Sequence, residues 1–133
     1  MITKNLIEYI DFGTNSNQST DYNEYAEKVS KAVLSGDADL GVLICGTGIG
    51  IGIAANKVPG IRAALCSDTF SAHATREHND ANILILGERV VGKGLAIDIV
   101  STFLNSKFEG DRHARRINKI TEIGYIPAYT RTD

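Results

Sequence analysis

The sequence predicts an α/β fold in which a doubly wound parallel sheet lies between two layers of helices, a Rossmann-like three-layer sandwich. Apolar runs without polar alternation occupy residues 40–45, 61–66 and 82–86, as in strands that are buried on both faces. Segments with helical periodicity separate these runs, so each strand leads into a crossover helix. The 133 residues suit one domain with one core, which we place at residues 1–133.

Local signals predict the elements in chain order. Residues 8–12 form a predicted strand and 13–20 a polar loop, and Asp21 with Glu24 has the spacing of a capping box that starts a helix running to about Ser35. The remaining predicted elements are strand 40–45, helix 49–57, strand 61–66, helix 69–77, strand 82–86, helix 93–104 and helix 111–123. Parallel strands end at one edge, where we expect Cys45 to meet the segments 46–52, 66–68 and 87–89.

Composition excludes several functional classes. A net charge of −2 and a pI near 5.9 lack the excess positive charge of a nucleic-acid-binding surface. The uncharged run at 40–56 is shorter than the ~20 residues of a membrane span and is rich in glycine, so it indicates a buried strand followed by a turn. Two cysteines at the ends of predicted strands indicate reduced thiols in a cytoplasmic protein.

The strongest chemical signal is the segment LGVLICGTGIGIGIAAN at 40–56, where an apolar run ends in Cys45 and glycine then stands at every second position. A strand that feeds a glycine-rich turn and a helix presents backbone N–H groups to an anion or to developing negative charge. The spacing disfavours a dinucleotide fingerprint, because Ile51 or Ile53 stands at the third required glycine, and a nucleotide-binding domain is the lesser alternative. The positive helix end favours thiolate at Cys45, although composition alone favours an inert buried thiol.

Basic side chains follow further along the chain. His78 and Asn79 close a predicted helix, where an isolated histidine by default caps the last carbonyls. Arg112 and Arg116 share one face of the last helix and could bind a phosphate through forked hydrogen bonds, although a solvated basic face is the interpretation that these residues alone favour. Together with Cys45, these residues suggest acid–base chemistry on a phosphorylated small molecule.

Three long strings of the sequence resemble a known family. CGTGIGIGIAANKVPGIRAALCSD, REHNDANILILGERVVG and FEGDRHARRI occur in the order and spacing of the type B ribose-5-phosphate isomerases and their relatives, the galactose-6-phosphate and allose-6-phosphate isomerases. The resemblance covers residues 11–123 and implies a Rossmann-like fold without nucleotide. It also implies an aldose–ketose isomerisation through a cis-enediol or enediolate. The CGTG motif at Cys45 favours the ribose-5-phosphate type, and a six-carbon sugar phosphate is the alternative substrate.

The resemblance assigns roles by position. It implies that Cys45 is the base that moves a proton between C1 and C2, and that His78 helps to open the sugar ring. At the enediolate it implies Thr47 and the backbone N–H groups of Gly46, Gly48, Ile49 and Gly50. It places Asn79 at a sugar hydroxyl and Tyr22 in the sugar pocket. At the phosphate it implies Arg89, Arg112 and Arg116, with His113 close by. No metal or organic cofactor is implied. The implied assembly is a homodimer or homotetramer with shared active sites.

The sequence departs from the family pattern at its start. The family begins with a strand that ends in an Asp-His pair and continues into a helix, whereas this sequence shows neither that strand nor most of that helix. We therefore expect an N-terminally shortened sheet. A start at an internal methionine and a genuine short variant are both compatible with this departure. A catalytically impaired sugar-phosphate-binding or subunit-like protein is accordingly an alternative to an active isomerase.

Overall fold

The structure, a computed structural model, describes residues 7–14 and 21–124. Those residues form five helices and three strands, which are α1 (Tyr22–Ser35), β1 (Gly41–Cys45), α2 (Ile49–Asn56), β2 (Ala63–Leu65), α3 (Thr69–Asn79), β3 (Ile83–Gly87), α4 (Lys93–Asn105) and α5 (Arg112–Ile123). The predicted boundaries of these eight elements agree with the structure within two residues. The strand predicted at 61–66 is shortened at both ends to β2.

The three strands form one parallel sheet in the order β1-β3-β2. In the ladder between β1 and β3, Gly41 lies opposite Ile83 and Cys45 lies opposite Gly87. Every residue of β3 is buried, as its unbroken apolar sequence and its central position require. Because the strands are parallel and in register, their C-terminal ends meet at one edge of the sheet.

Helices cover both faces of the sheet and enclose two apolar clusters. On one face α1 and α2 pack against a cluster that contains Ala26, Leu43, Ile51, Ala55, Ile61, Ile83 and Ile85. On the other face α3 and α4 pack against a cluster that contains Cys66, Ala72, Ala81, Leu84, Leu86, Val91, Ile99 and Phe103. The predicted doubly wound three-layer sandwich is therefore confirmed. None of the helices described here has the length and apolarity needed to cross a membrane.

The ends of α1 and α3 are fixed in different ways. The predicted capping box of α1 is wrong, because the Asp21 side chain makes no capping bond and the Glu24 N–H instead donates to the Asp21 carbonyl over 3.3 Å. At α3 the Asp68 carboxylate accepts the Ser71 N–H over 2.6 Å. That helix ends at Asp80, whose carboxylate pairs with Arg62 at 3.3 Å and with Arg76 at 3.1 Å.

The strand predicted at residues 8–12 is also wrong. Residues 7–12 have no strand geometry and are largely exposed, including Tyr9 at 66% and Ile10 at 58%. The physical reason is that no described segment pairs with them, and a lone extended segment gains no ladder hydrogen bonds. Among the described strands β1 pairs with β3 alone, so its other edge is unpaired too. Residues 15–20 of the predicted loop lie outside the described residues.

A substitution at Gly48 tests whether the turn before α2 requires glycine. Gly48 has a φ of +83°, and an added Cβ would lie 2.6 Å from Leu65 Cδ1 and 3.1 Å from the Leu86 carbonyl carbon. We expect Gly48→Ala to lower the free energy of unfolding by about 1–3 kcal/mol, measured by urea denaturation. The matched control is Gly94→Ala in α4, where nothing lies within 4 Å of an added Cβ; we expect that variant to be as stable as the parent or more so. Equal losses in both variants would contradict this account.

Candidate active site

Cys45 is the last residue of β1 and lies at the C-terminal edge of the sheet. Its Sγ accepts a hydrogen bond from the Gly48 N–H over 3.2 Å, and its carbonyl accepts the Glu88 N–H over 2.8 Å. The residue is half-buried, unlike Cys66, which is buried in the core as the sequence predicts. The thiol is thus held in one position at the start of the glycine turn while still reachable from outside.

The segment 46–52, which we call the glycine loop, is closely approached by other side chains at two further glycines. An added Cβ on Gly50 would lie 2.8 Å from Tyr22 Cζ, and one on Gly52 would lie 2.8 Å from Ile85 Cδ1. The Tyr22 ring therefore lies directly on the loop, at the start of α2. The role of Tyr22 in the sugar pocket, which the family resemblance implies, stays a prediction.

The backbone N–H groups of the loop stand at the positive end of α2. The Ile49 N–H donates to Thr47 Oγ1 over 3.2 Å, and the Gly52 N–H makes the first helical bond to the Gly48 carbonyl over 3.1 Å. Thr47 and Ile49 are exposed, so this helix end faces outward beside the thiol. Such an arrangement stabilises negative charge in a small molecule bound against it.

Arg89 reaches the same place from the end of β3. Its backbone N–H donates to the Gly46 carbonyl over 2.9 Å. Its side-chain atoms Cδ and Nε both lie 3.8 Å from the position that a Cβ on Gly46 would occupy. The side chain therefore runs beside the glycine loop. We call the residues gathered at this edge the cysteine cluster, consisting of Tyr22, Cys45, Gly46, Thr47, Gly48, Ile49, Gly50 and Arg89.

The other predicted site residues gather around two stacked imidazole rings. The rings of His78 and His113 lie 4.4 Å apart at an interplanar angle of 17°, and Glu109 Oε2 lies 3.6 Å from His113 Nε2. Glu109 was not predicted, although its position four residues before His113 is a signal that could have indicated it. We call this group the histidine cluster, consisting of His78, Asn79, Glu109, Arg112, His113 and Arg116.

The electrostatics of the histidine cluster favour an anion. Burial lowers the pKa of His113, and the neighbouring His78 and Arg112 lower it further, while Glu109 opposes them. The first turn of α5 contains no acidic residue, and its cap residue Asp111 makes no side-chain capping bond. Cationic side chains at the positive end of a helix dipole are unfavourable, so a bound anion would relieve the accumulated charge.

Three groups of this cluster lie close enough together to raise the question of a metal ion. Ligand atoms of His78, Glu109 and His113 all lie within 4.8 Å of one another. The two imidazole planes are nearly parallel, however, so the nitrogen lone pairs point along parallel planes and do not converge on one point. The cluster in this geometry fits an anion better than a cation.

The cysteine cluster and the histidine cluster lie at opposite edges of the sheet. Helix α3 starts just after the C-terminal end of β2 and runs back, so His78 lies near the N-terminal ends of the strands. There the Arg62 Nε donates to the Asn79 carbonyl over 3.2 Å. The 11 residues of α3 span about 16 Å at the helical rise of ~1.5 Å per residue. One chain therefore does not bring Cys45 and His78 to the same substrate.

The two cysteines should differ sharply in reactivity. Burial raises the pKa of Cys66 to about 11, with Asp68 adding to the effect. At pH 8 only about 0.1% of such a group is thiolate, and the residue is 2% exposed. We expect iodoacetamide to alkylate Cys45 at least about tenfold faster than Cys66, measured by timed peptide mapping. Cys45→Ala should leave only the slow reaction, and similar rates at the two thiols would contradict the prediction.

Comparison with known proteins places this geometry in context. The family model described as Ribose/Galactose Isomerase matches residues 1–120. Ribose-5-phosphate isomerase B of Escherichia coli is 53% identical over 117 residues, which are 88% of this chain and 78% of that protein. The solved ribose-5-phosphate isomerase B of Clostridium thermocellum superposes with a TM-score of 0.91 at 59% identity, covering 93% of this chain and 84% of that one.

A second solved relative includes a ligand. Ribose-5-phosphate isomerase B of Mycoplasma genitalium, determined with bound ribulose 5-phosphate, has a TM-score of 0.87 at 41% identity and covers 93% of this chain and 83% of that one. The family model covers more than half of the chain, and the fold agrees with the solved relatives in its parallel sheet and helical layers. The chain belongs to the ribose/galactose isomerase family.

Proposed function

We propose that this chain interconverts ribose 5-phosphate and ribulose 5-phosphate, with Cys45 as the base. The observation that carries the proposal is the thiol of Cys45, which is held by the Gly48 N–H at the positive end of α2 with Arg89 alongside. The names of the E. coli and C. thermocellum relatives and the ligand of the M. genitalium relative support the choice of sugar.

The proposed reaction moves one carbon-bound proton. The Cys45 thiolate takes the proton from C2 of the open-chain aldose, and the freed electron pair forms the C1–C2 double bond as the C1 carbonyl oxygen becomes an enediolate oxygen. The thiol then returns the proton to C1, while the hydroxyl proton on O2 passes to O1 and C2 becomes the carbonyl. N–H groups from Gly46 to Gly50, with Thr47, would stabilise the charge on the enediolate oxygens.

The histidine cluster would supply the other end of the site. Arg112 and Arg116, with His113 close by, would bind the phosphate, because an anion suits the uncompensated start of α5. His78 would open the sugar ring by proton transfer at the ring oxygen, and Asn79 would contact a sugar hydroxyl. Both imidazoles of the stack would thus face one ligand, His78 at its ring and His113 near its phosphate.

We infer that two copies of the chain complete each active site. The cysteine cluster and the histidine cluster lie at opposite edges of one chain, so a homodimer would join the cysteine cluster of one copy to the histidine cluster of the other. An exposed apolar surface beside the glycine loop supports association. It contains the exposed side chains of Ile49, Ile53 and Leu65, which line a shallow cavity of about 490 Å³. A homotetramer would pair two such dimers.

The location that we propose is the cytoplasm. The two free thiols support it, because thiols stay reduced there.

A direct turnover assay tests the proposed reaction. We expect the chain to convert ribose 5-phosphate, followed by NMR, and Cys45→Ala to lower kcat by about 10²–10⁴-fold because the proton acceptor is lost. The control Cys66→Ala should keep its kcat, since Cys66 is a core residue. Undiminished turnover in Cys45→Ala would contradict the mechanism. Faster turnover of allose 6-phosphate or galactose 6-phosphate would reassign the substrate, and binding without turnover would indicate a subunit-like protein.

Complementation between two variants tests the shared site. Cys45→Ala and His78→Ala should each be nearly inactive, yet a heterodimer purified through two different tags contains one intact site out of two. We therefore expect about half of the wild-type kcat from that heterodimer. The matched control combines Cys45→Ala with Arg89→Ala, which lie in the same cluster and leave no intact site. Failure of the first pair to exceed the control would show that each site is built within one copy.

A further inference from the structure

A third group of polar side chains lies where α3 meets the end of α4. His73, in the first half of α3, has a partner at each of its ring nitrogens. Its Nδ1 lies 2.9 Å from Ser106 Oγ, and its Nε2 lies 2.9 Å from Glu77 Oε1. These three residues belong neither to the cysteine cluster nor to the histidine cluster. We call them the clasp, because they join α3 to the residue that follows α4.

The hydrogen bonds of the clasp assign the protons of His73. The Ser106 hydroxyl donates to the Thr102 carbonyl over 2.7 Å, so its oxygen accepts from His73 Nδ1. The Glu77 carboxylate can only accept, so it needs a proton on His73 Nε2. The ring meets both contacts only as the imidazolium, which has an N–H on each nitrogen. The contact with Glu77 is then a charge-assisted hydrogen bond.

The clasp holds the segment that leads from α4 into α5. Three residues after Ser106, the Glu109 N–H donates to the Glu77 carbonyl over 3.1 Å. Glu77 therefore holds this segment twice, through its carbonyl directly and through its carboxylate by way of His73. The Glu109 side chain in turn lies 3.6 Å from His113 Nε2 in the first turn of α5. A continuous series of contacts thus connects His73 to the histidine cluster.

The start of α5 is only weakly held by burial. Within this helix His113 and Ile117 are buried, and Asp111 before it makes no side-chain capping bond. A helix end that buries few side chains opens locally at a low cost in free energy. Because His113 stacks on His78, the position of this helix end relative to α3 decides the geometry of the histidine cluster.

We propose that His73 is a positioning residue for the histidine cluster. As an imidazolium it fastens residues 106–109 to α3. It thereby keeps Arg112 and Arg116 at a fixed place relative to His78, so that the phosphate and the sugar ring of one substrate are both met. The inference rests on the proposed function, which assigns the phosphate to these arginines. His73 acts through the position of α5 and transfers no proton in the reaction.

The expected effect is on substrate affinity and hardly on stability. The His73 side chain is 49% exposed, and ion pairs at such positions contribute little to folding. Affinity, however, falls with the fraction of molecules whose binding groups are in place. His73→Phe keeps a ring and removes both donors. We expect it to raise KM for ribose 5-phosphate about two- to fivefold, with the urea midpoint close to that of the parent. Bound phosphate would itself hold α5, so kcat should change less than about twofold.

Three further variants test whether the two donors matter. His73→Arg should return KM to within about twofold of the parent, because a guanidinium can donate to both acceptors. Ser106→Ala removes the other end of the clasp and should raise KM as His73→Phe does. The matched control is Asn105→Ala, which removes a hydrogen bond of 2.8 Å to the Ser101 carbonyl within α4. We expect that control to keep the KM of the parent.

Two measurements without turnover separate this inference from the proposed function. In His73→Phe the Glu109 amide should exchange hydrogen about two- to fivefold faster, and inorganic phosphate should bind more weakly by a similar factor, both followed by NMR. Unchanged exchange at Glu109, an unchanged phosphate affinity, or failure of His73→Arg to recover would overturn the clasp. A parent chain without turnover, in which His73→Phe still produces both changes, would overturn the proposed reaction and support the clasp.

Discussion

The end of β3 and the glycine loop lie in direct backbone contact, and the position of the thiol depends on this contact. A side chain on Gly87 would place its Cβ 2.5 Å from the Thr47 carbonyl oxygen. Hydrogen bonds from the Glu88 and Arg89 N–H groups to the Cys45 and Gly46 carbonyls join the two segments. Strand β3 is buried along its whole length, and buried segments are closely packed. The glycine loop is bonded to the end of this strand, so its position is constrained by the core. The cysteine cluster is therefore fixed by the sheet itself.

The opposite end of the molecule is fixed by a separate polar network. Asp80 ends α3 in a left-handed conformation and pairs with Arg62 and Arg76, and the Arg76 guanidinium also donates to the Ala81 carbonyl over 2.6 Å. This network holds the end of α3, and hence His78, against the N-terminal edge of the sheet. The two clusters are thus anchored independently, and a two-fold pairing of copies would produce two equivalent sites from them.

Sequence reasoning succeeded where local pattern and burial agree. The apolar run of β3 predicted a central strand, the alternating glycines predicted a turn leading into α2, and the end of a buried strand predicted the place of Cys45. The wrong strand at residues 8–12 has an adequate local pattern, but strand formation depends on a neighbour that no local pattern reveals. The packing of Tyr22 on Gly50 and the separation of Cys45 from His78 depend on three-dimensional contacts and on the direction of α3. Spacing along the chain contains no information about either.

The strand order has a consequence for biosynthesis. Since β1 and β2 each pair with β3 and not with each other, no pairing between these strands can form while only the first two have been made. The two ladders described here can therefore form only after residues 83–87 have left the ribosome. Until then neither of these two ladders can cover the apolar segments of β1 and β2, so the sheet depends on contacts that are distant along the chain, which slows its formation.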